Sequence, residues 1–504
     1  MILRPHQAEM QAACVDILSG APIRSIVADV TPGGGKSKLP VILASMLIPQ
    51  IADRIVWVVP RNPLKYQGEA EFVDPFFPTD CRMRATDGNE KDPDRGTNGY
   101  ITTYQAIGQD PEPHAAYMRR YRTILVLDEQ HHVADGATWE DALAPMVASS
   151  VLVVYASGTL SRGDGQRIAF LDYAGEHVAT FNTKSTRVIR YSRSQAIADG
   201  AILPVYGRTI DGAAEWISKE GLHRKVESIR KAGEDRSPAV FTAVRTEYAY
   251  QLLEAGIADW EDERTRFPAA TCLVVAPDIE YAQQYHRYLA RRYLAEIATS
   301  DDSPAARRTI AEFKRGLFPI LVTVAMAYEG LSVPSITHIA CLTQIRSVPW
   351  LEQCFARANR RAEGKTRGVI YGPADHLFLH AMRMIESEKR PGLKDEEAQR
   401  KNSDNPVELV EGLTAPQIEP LWSTAHGVTI SQPAPIPQSE MERVLRDNIR
   451  AIKRDVLSRK RAGALLAAER LIGLQIRAIV NKTLEEMSIE ELTTVWTMLR
   501  GKYA

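Results

Sequence analysis

Short apolar, β-branched runs that alternate with longer stretches of helical periodicity restrict this chain more than any other feature. In the first half they are Ser25–Val30, Arg54–Pro60, Tyr100–Tyr104, Thr123–Leu127 and Ser150–Tyr155. In the second they are Thr271–Pro277, Ile320–Val324, His338–Thr343 and Gly368–Tyr371. Runs of this length, bounded by turns and separated by helices, read as parallel strands buried on both faces. The expected class is α/β, built from two tandem parallel-sheet domains, with its chemistry beyond the carboxyl ends of the strands.

A chain of 504 residues is too long for one ordinary core. The strand-helix pattern breaks around Tyr191–Pro204 and then restarts, which divides a first domain, 1–192, from a second, 193–387. Charge and proline dominate 388–438, as in Asn405-Pro406 and Pro433-Ala434-Pro435-Ile436-Pro437, and predict a linker. From 439 to 504 the pattern is helical, with Leu445, Ile449, Ile452 and Val456 at helical spacing.

The charges nearly cancel, 62 Lys plus Arg against 63 Asp plus Glu, so a polyanion partner needs a local basic surface. The five cysteines are scattered without a C-x-x-C pair, which argues against a zinc finger and a disulfide framework. The N-terminus lacks the apolar stretch of a signal peptide, and no run approaches a membrane span. The expected compartment is the cytoplasm, with no membrane partner.

The sharpest local signal is Thr31-Pro32-Gly33-Gly34-Gly35-Lys36-Ser37, between the run Ser25–Val30 and a helical pattern. Glycines let backbone N–H groups approach phosphate oxygens, and the following helix adds its positive end. Lys36 would reach the β- and γ-phosphates of ATP, and the Ser37 hydroxyl would bind Mg²⁺. The strict pattern has another glycine where Val30 stands. About 90 residues on, the apolar run Thr123–Leu127 ends in Asp128-Glu129-Gln130-His131-His132. Adjacent acids at a strand tip suit a Mg²⁺ shell, for Asp128, and the orientation and deprotonation of an attacking water, for Glu129. Adjacent histidines rarely point at one ion, so His131 and His132 are not expected to bind zinc.

Asp128-Glu129-Gln130-His131 resembles motif II of the superfamily 2 DExH helicases, and further segments follow in that family's order. Leu3-Arg4-Pro5-His6-Gln7 resembles the adenine-contacting motif, Val58-Val59-Pro60-Arg61 and Ile101-Thr102-Thr103-Tyr104-Gln105 motifs Ia and Ib, and Ala156-Ser157-Gly158-Thr159 motif III. Leu273-Val274-Val275-Ala276-Pro277 resembles motif IV, Met326–Pro334 motif V and Gln353–Arg360 motif VI. The resemblance covers about residues 1 to 385 and is closest to type III restriction subunits and bacteriophage recombination helicases. It implies two RecA-like domains, with Gln7 reading the base, Glu329 and Gly330 in the nucleotide site, and Gln353, Arg357 and Arg360 in the catalytic set. It also implies that Pro60, Arg61, Thr102 and Thr103 hold a strand's phosphates. Ser332 stands where motif V often has aspartate, and Ala356 where motif VI usually has glycine.

The arginines have an independent rationale. Phosphoryl transfer spreads negative charge, and an arginine from an opposing surface stabilises it. On a helix, Arg357 and Arg360 would share one face. Small hydroxyl residues at strand tips (Thr102, Thr103, Thr323) and Arg61 suit phosphate contacts. The C-terminal Arg443, Arg446, Arg450, Lys453 and Arg454 fall mostly on one helical face, which fits a backbone grip, a solvated face or a partner contact. These residues predict an ATP-dependent helicase or translocase, acting on DNA in recombination, replication or defence, with any nuclease or methylase activity in a partner protein. The alternatives are an RNA helicase and a nucleotide-gated DNA-binding subunit of a larger restriction or defence complex.

Overall fold

The computed structural model describes residues 3–158 apart from 76, 134 and 137, residues 167–174, 178–299, 303–324, 331–387 and 416–431, and parts of 441–503. The chain divides into two compact units: Met1–Leu160, Arg167–Gly200 and Pro435–Ala504 form one, and Ala201–Ala434 lie in the other.

In the first unit the strands are β1 (Ser25–Val30), β2 (Arg54–Val59), β3 (Arg84–Ala85), β4 (Gly99–Thr103), β5 (Thr123–Asp128) and β6 (Leu152–Ser157). A small antiparallel pair, β7 (Asp172–Ala174) and β8 (Val178–Thr180), follows, and then β9 (Thr186–Tyr191). The main sheet runs β3-β4-β2-β5-β6-β1-β9 and every pairing in it is parallel. All residues of β4, β5 and β6 are buried, as the unbroken apolar runs demand of strands covered on both faces. β1 and β5 flank β6 and run parallel to it, so they end on the same edge, and the glycine loop after Val30 and the acids after Leu127 share one rim of the sheet.

In the second unit the strands are β10 (Val205–Ile217), β11 (His223–Val226), β12 (Thr271–Ala276), β13 (Ala295–Ala298), β14 (Ile320–Val324), β15 (Ile336–Cys341), β16 (Gly368–Pro373) and β17 (Glu419–Ser431). Their order is β11-β10-β16-β15-β12-β14-β13, with β17 along β10. Side chains alternate across this sheet. Cys272, Val274 and Ala276 pack with Leu252, Leu253, Ile257 and Trp260 of the helix Glu247–Arg266. Leu273 and Val275 pack on the other face with Phe313, Leu351, Cys354 and Phe378. Each fully buried aliphatic or aromatic side chain contributes about 1.5–3 kcal/mol relative to exposure.

Arg346 lies at the centre of this unit with no exposure, paired to the equally buried Asp375 through Nε at 3.1 and 3.0 Å and Nη2 at 2.9 Å. Its Nη1 donates to the Thr343 and Ile345 carbonyl oxygens at 2.6 and 2.9 Å. These bonds satisfy a charge that would otherwise be costly to bury.

Part of the segment expected as a linker is strand. β17 spans 13 residues and pairs antiparallel with β10 from Gly207↔Ser431 to Ile217↔Glu419. Gly212 admits it: a β-carbon there would sit 2.3 Å from the Thr424 carbonyl oxygen. Beyond residue 440 the described residues pack around Leu445, Ile449, Ile472, Met487, Leu492, Val495 and Leu499. Ile452 and Val456 lie outside the described residues. Among the described residues no helix is long and apolar enough to cross a membrane.

Candidate active site

The glycine loop leaves β1 at Val30, which is fully buried in register with Tyr191 of β9. Val30 therefore still belongs to the strand, and the turn it precedes places no demand for glycine on it. The demand falls later: Gly33 has φ 84° and Gly35 φ 95°, in the left-handed region that side chains disfavour. Between them the Gly34 N–H donates to the Thr31 carbonyl at 2.8 Å, closing the turn.

The N-terminal segment grips this loop. Arg4 Nη1 donates to the Gly34 carbonyl, and Gln7 Nε2 to the Gly35 carbonyl at 3.3 Å. Gln7 Oε1 accepts from the Arg4 N–H at 3.0 Å, so both ends of the amide expected to read a base are engaged with protein. His6 is buried between them, stacked on Tyr191 at 4.4 Å. Burial, then the charge of Arg4, holds its pKa down at about 3.

Lys36 follows, and its ammonium reaches the tip of β5. Nζ lies 2.9 Å from Asp128 Oδ1 and donates to Glu129 Oε1. Burial alone would lower the pKa of Lys36, but the attraction of Asp128 and Glu129 outweighs it, so the net shift is upward. Asp128 accepts the Glu129 N–H at 3.0 Å, and its backbone carbonyl accepts from Tyr104 Oη at 2.9 Å. Glu129 has φ 50° and ψ 49°, a left-handed conformation that costs an ordinary residue about 1–3 kcal/mol. That turn brings Oε2 to 3.3 Å from the Gly158 N–H and 3.4 Å from His131 Nδ1. His131 Nδ1 also lies 2.9 Å from Ser157 Oγ. The segments resembling motifs II and III are thus joined by side chains. A β-carbon at Gly158 would come within 2.9 Å of Pro32, so the third segment also abuts the glycine loop.

The residues present fit a magnesium nucleotide. The loop is a cradle that β-carbons would fill, since one on Gly34 would meet Thr31 O at 2.8 Å and one on Gly35 would meet Arg4 Nη1 at 2.8 Å. Pro32, Gly33, Gly34, Gly35 and Lys36 lie together in this loop. Ser37 Oγ donates to Glu71 Oε1 at 2.6 Å, a contact the sequence did not announce. Mg²⁺ is ordinarily held by one or two carboxylates together with the substrate's phosphates, a donor set that Ser37 and Asp128 would complete.

In the second unit the helix Val348–Phe355 carries the half-buried Gln353 and stops at Phe355. Arg357 and Arg360 therefore lie beyond the helix on which they were expected, in the turn after it and at a bridge with Ile202. They still converge: Arg357 Nη1 donates to the Leu331 carbonyl at 3.0 Å and Arg360 Nη1 to Ser332 Oγ at 2.5 Å. Ser332, where an aspartate was the expectation, keeps the acceptor and drops the charge. Burial, then the charge of Arg357, lowers Arg360 to about 9. Lys365 is brought down to about 7 by burial and then by Arg360, while its ammonium donates to the Pro334, Ile336 and Arg360 carbonyls. Glu329 and Gly330 lie outside the described residues.

The strand-tip threonines lie inside the fold. Thr102, Thr103 and Thr323 are all buried. Thr103 Oγ1 accepts the Ala106 N–H at 3.2 Å and caps the helix Tyr104–Gln109, and Thr323 Oγ1 is turned to a backbone carbonyl at 3.3 Å. Strand positions covered by helices on both sides leave little hydroxyl for a polyanion. Pro60 and Arg61 sit where β2 gives way to the helix Asn62–Glu71, and both are partly exposed. In the C-terminal segment, Arg446 Nε donates to the Leu484 carbonyl at 2.8 Å and Arg450 pairs with Glu485 at 2.8 Å, so these two serve the segment's own packing.

Residues 1–162 match the family model for the type III restriction enzyme res subunit. That stretch resembles a ResIII domain. The ResIII domain holds the glycine loop and the acid pair together. Over a longer stretch the chain is similar to two mycobacterial proteins. It is 25% identical over 419 residues to the uncharacterized protein ML1624 of Mycobacterium leprae, covering 80% of this chain and 67% of that protein. It is 26% identical over 387 residues to the uncharacterized protein Rv2917 of Mycobacterium tuberculosis, covering 74% and 62%. The chain thus spans about two thirds of the curated relatives it matches. Its fold is similar to that of LlaBIII, an ATP-dependent type ISP restriction-modification enzyme solved bound to DNA, with a TM-score of 0.51 and 12% identity over 99% of this chain and 40% of that one.

Proposed function

We propose that the chain is an ATP-driven helicase or translocase that moves along nucleic acid, with DNA as its track, in recombination, replication or defence. The observation that carries this is Lys36 of the glycine loop seated on Asp128 and Glu129 at the tip of β5. An ammonium in that place is a cation waiting to trade carboxylates for phosphate oxygens. In this reading Gln7 and Pro32 to Ser37 hold ATP, and Ser37 and Asp128 hold Mg²⁺. When bound, Mg²⁺ supplies neutralisation of phosphate charge. Glu129, already turned into the left-handed region, orients the attacking water and takes its proton. Glu329 and Gly330 belong to the nucleotide site, and Gln353, Arg357 and Arg360 supply transition-state stabilisation. Pro60 and Arg61, with the backbone at Thr102, Thr103 and Thr323, contact phosphates. The restriction family matched by the ResIII domain supports DNA over RNA, and supports a nuclease or methylase as partner protein.

The test is ATP hydrolysis by the full chain with matched DNA and RNA oligonucleotides, followed by unwinding of a forked duplex. Glu129→Gln is expected to cut turnover by about 10²-fold or more while nucleotide binding is kept. Protein that hydrolyses no ATP with either polynucleotide, or a Glu129→Gln variant that turns over like the parent, ends this reading.

A further inference from the structure

A serine oxygen carries one proton and two lone pairs. As a cation ligand it must offer a lone pair, so its proton has to be accepted elsewhere. In this structure the acceptor is Glu71, at the end of the helix Asn62–Glu71, whose Oε1 takes the Ser37 hydroxyl at 2.6 Å. The other oxygen, Oε2, is ion-paired with Lys38, whose Nζ also pairs with Asp74 Oδ2. The Glu71 side chain is only 17% exposed, so these contacts fix its orientation.

We propose that Glu71 is a positioning residue for the nucleotide's divalent cation: by accepting the Ser37 proton it leaves that oxygen's lone pairs to face Mg²⁺. The role rests on the nucleotide site proposed above and adds a residue that none of the helicase-like segments contains. It predicts a dependence on hydrogen-bond acceptance more than on charge. Glutamine keeps an oxygen acceptor at the same reach, and alanine keeps none. Lys38 retains Asp74, three residues past that helix, in either variant, so this anchor survives.

The experiment measures binding of a fluorescent ADP analogue to the full chain, with MgCl₂ and with EDTA. For the parent, Mg²⁺ tightens binding. Glu71→Ala is expected to remove about tenfold or more of that Mg²⁺-dependent tightening, a usual size for the loss of a group that orients a metal ligand, with affinity in EDTA changed by less than about twofold. Ser37→Ala should show the same Mg²⁺-specific loss, and the double variant no further loss. Glu71→Gln should stay within about threefold of the parent. Equal losses in MgCl₂ and EDTA for Glu71→Ala assign it a purely structural role and overturn the proposal, as does a Glu71→Gln loss as large as that of alanine. In both cases the nucleotide site itself stands. A parent protein whose nucleotide binding ignores Mg²⁺ removes the site reading and this proposal together.

Discussion

A β-carbon built on Gly34 would lie 2.8 Å from the Thr31 carbonyl oxygen, 3.0 Å from a Val30 methyl and 3.1 Å from the Tyr191 ring. The first is backbone and the other two belong to buried residues, so none can yield without moving β1 or β9. Gly34→Ala is therefore expected to cost about 1–3 kcal/mol in stability and to abolish nucleotide binding. Denaturant unfolding and the fluorescent-ADP assay check the two effects, and an alanine variant that binds like the parent contradicts this account of the loop. At this scale, legibility depended on how far apart the partners lie in sequence. Lys36, Asp128 and Glu129 were readable because each sits in a short segment whose residue types imply phosphate or cation chemistry. Glu71 and Arg4 were not readable in their roles. Glu71 reaches Ser37 across 34 positions, and no local pattern marks that pairing. The buried threonines show that a hydroxyl at a strand end also has uses within the fold, since Thr103 caps a helix and Thr323 turns its hydroxyl to a backbone carbonyl.

At the level of elements, the strands with unbroken apolar runs were legible and the others were not. β9 (TRVIRY) carries charges and β10 (VYGRTIDGAAEWI) both charges and glycines among their apolar residues, and β13 (AEIA) is too short for a pattern. β17 was hidden by its proline, charge and polar residues, a composition that also describes a linker. An edge position explains it. Leu421, Trp422, Val428 and Ile430 are exposed, while Ser423 is buried, where its hydroxyl accepts the Tyr248 N–H at 3.2 Å. The strand is held by its backbone ladder on β10 more than by an apolar face. That makes Gly212 the sensitive point, since its missing side chain leaves room for Thr424 O and the Tyr248 ring, at 2.3 and 2.6 Å from a built β-carbon. Gly212→Ala is expected to loosen β17 first. Hydrogen exchange should accelerate by tenfold or more across residues 419–431, roughly 1.4 kcal/mol in opening free energy. Exchange in β12 and β15 should change far less. Uniform acceleration over the whole second unit would show that β17 is integral to that core.

For the whole molecule, the near balance of charge leaves individual buried groups to set the response to pH. Two histidines of the first unit matter most. His6 is held down at about 3 by burial and then by Arg4. His114 is brought down to about 4 by burial, against the attraction of Asp110, with its ring between Tyr100 Oη at 2.8 Å and Asn89 Oδ1 at 3.1 Å. In the unfolded chain both titrate near 6.5, so between there and the folded values the unfolded state binds protons that the native state refuses. Stability is then full above pH 6.5 and falls as the pH drops toward 4. At pH 5 each histidine subtracts about 2 kcal/mol relative to pH 7. Because both groups lie in the first unit, its unfolding transition should be the one that shifts on acidification. His6→Phe keeps a flat ring against Tyr191 and removes one of the two titrations. It should recover about 2 kcal/mol of the loss between pH 7 and pH 5. Urea titrations of parent and variant at the two pH values measure this directly, and an unchanged pH slope in the variant would mean that His6 is protonated in the folded protein, beside Arg4 and the glycine loop.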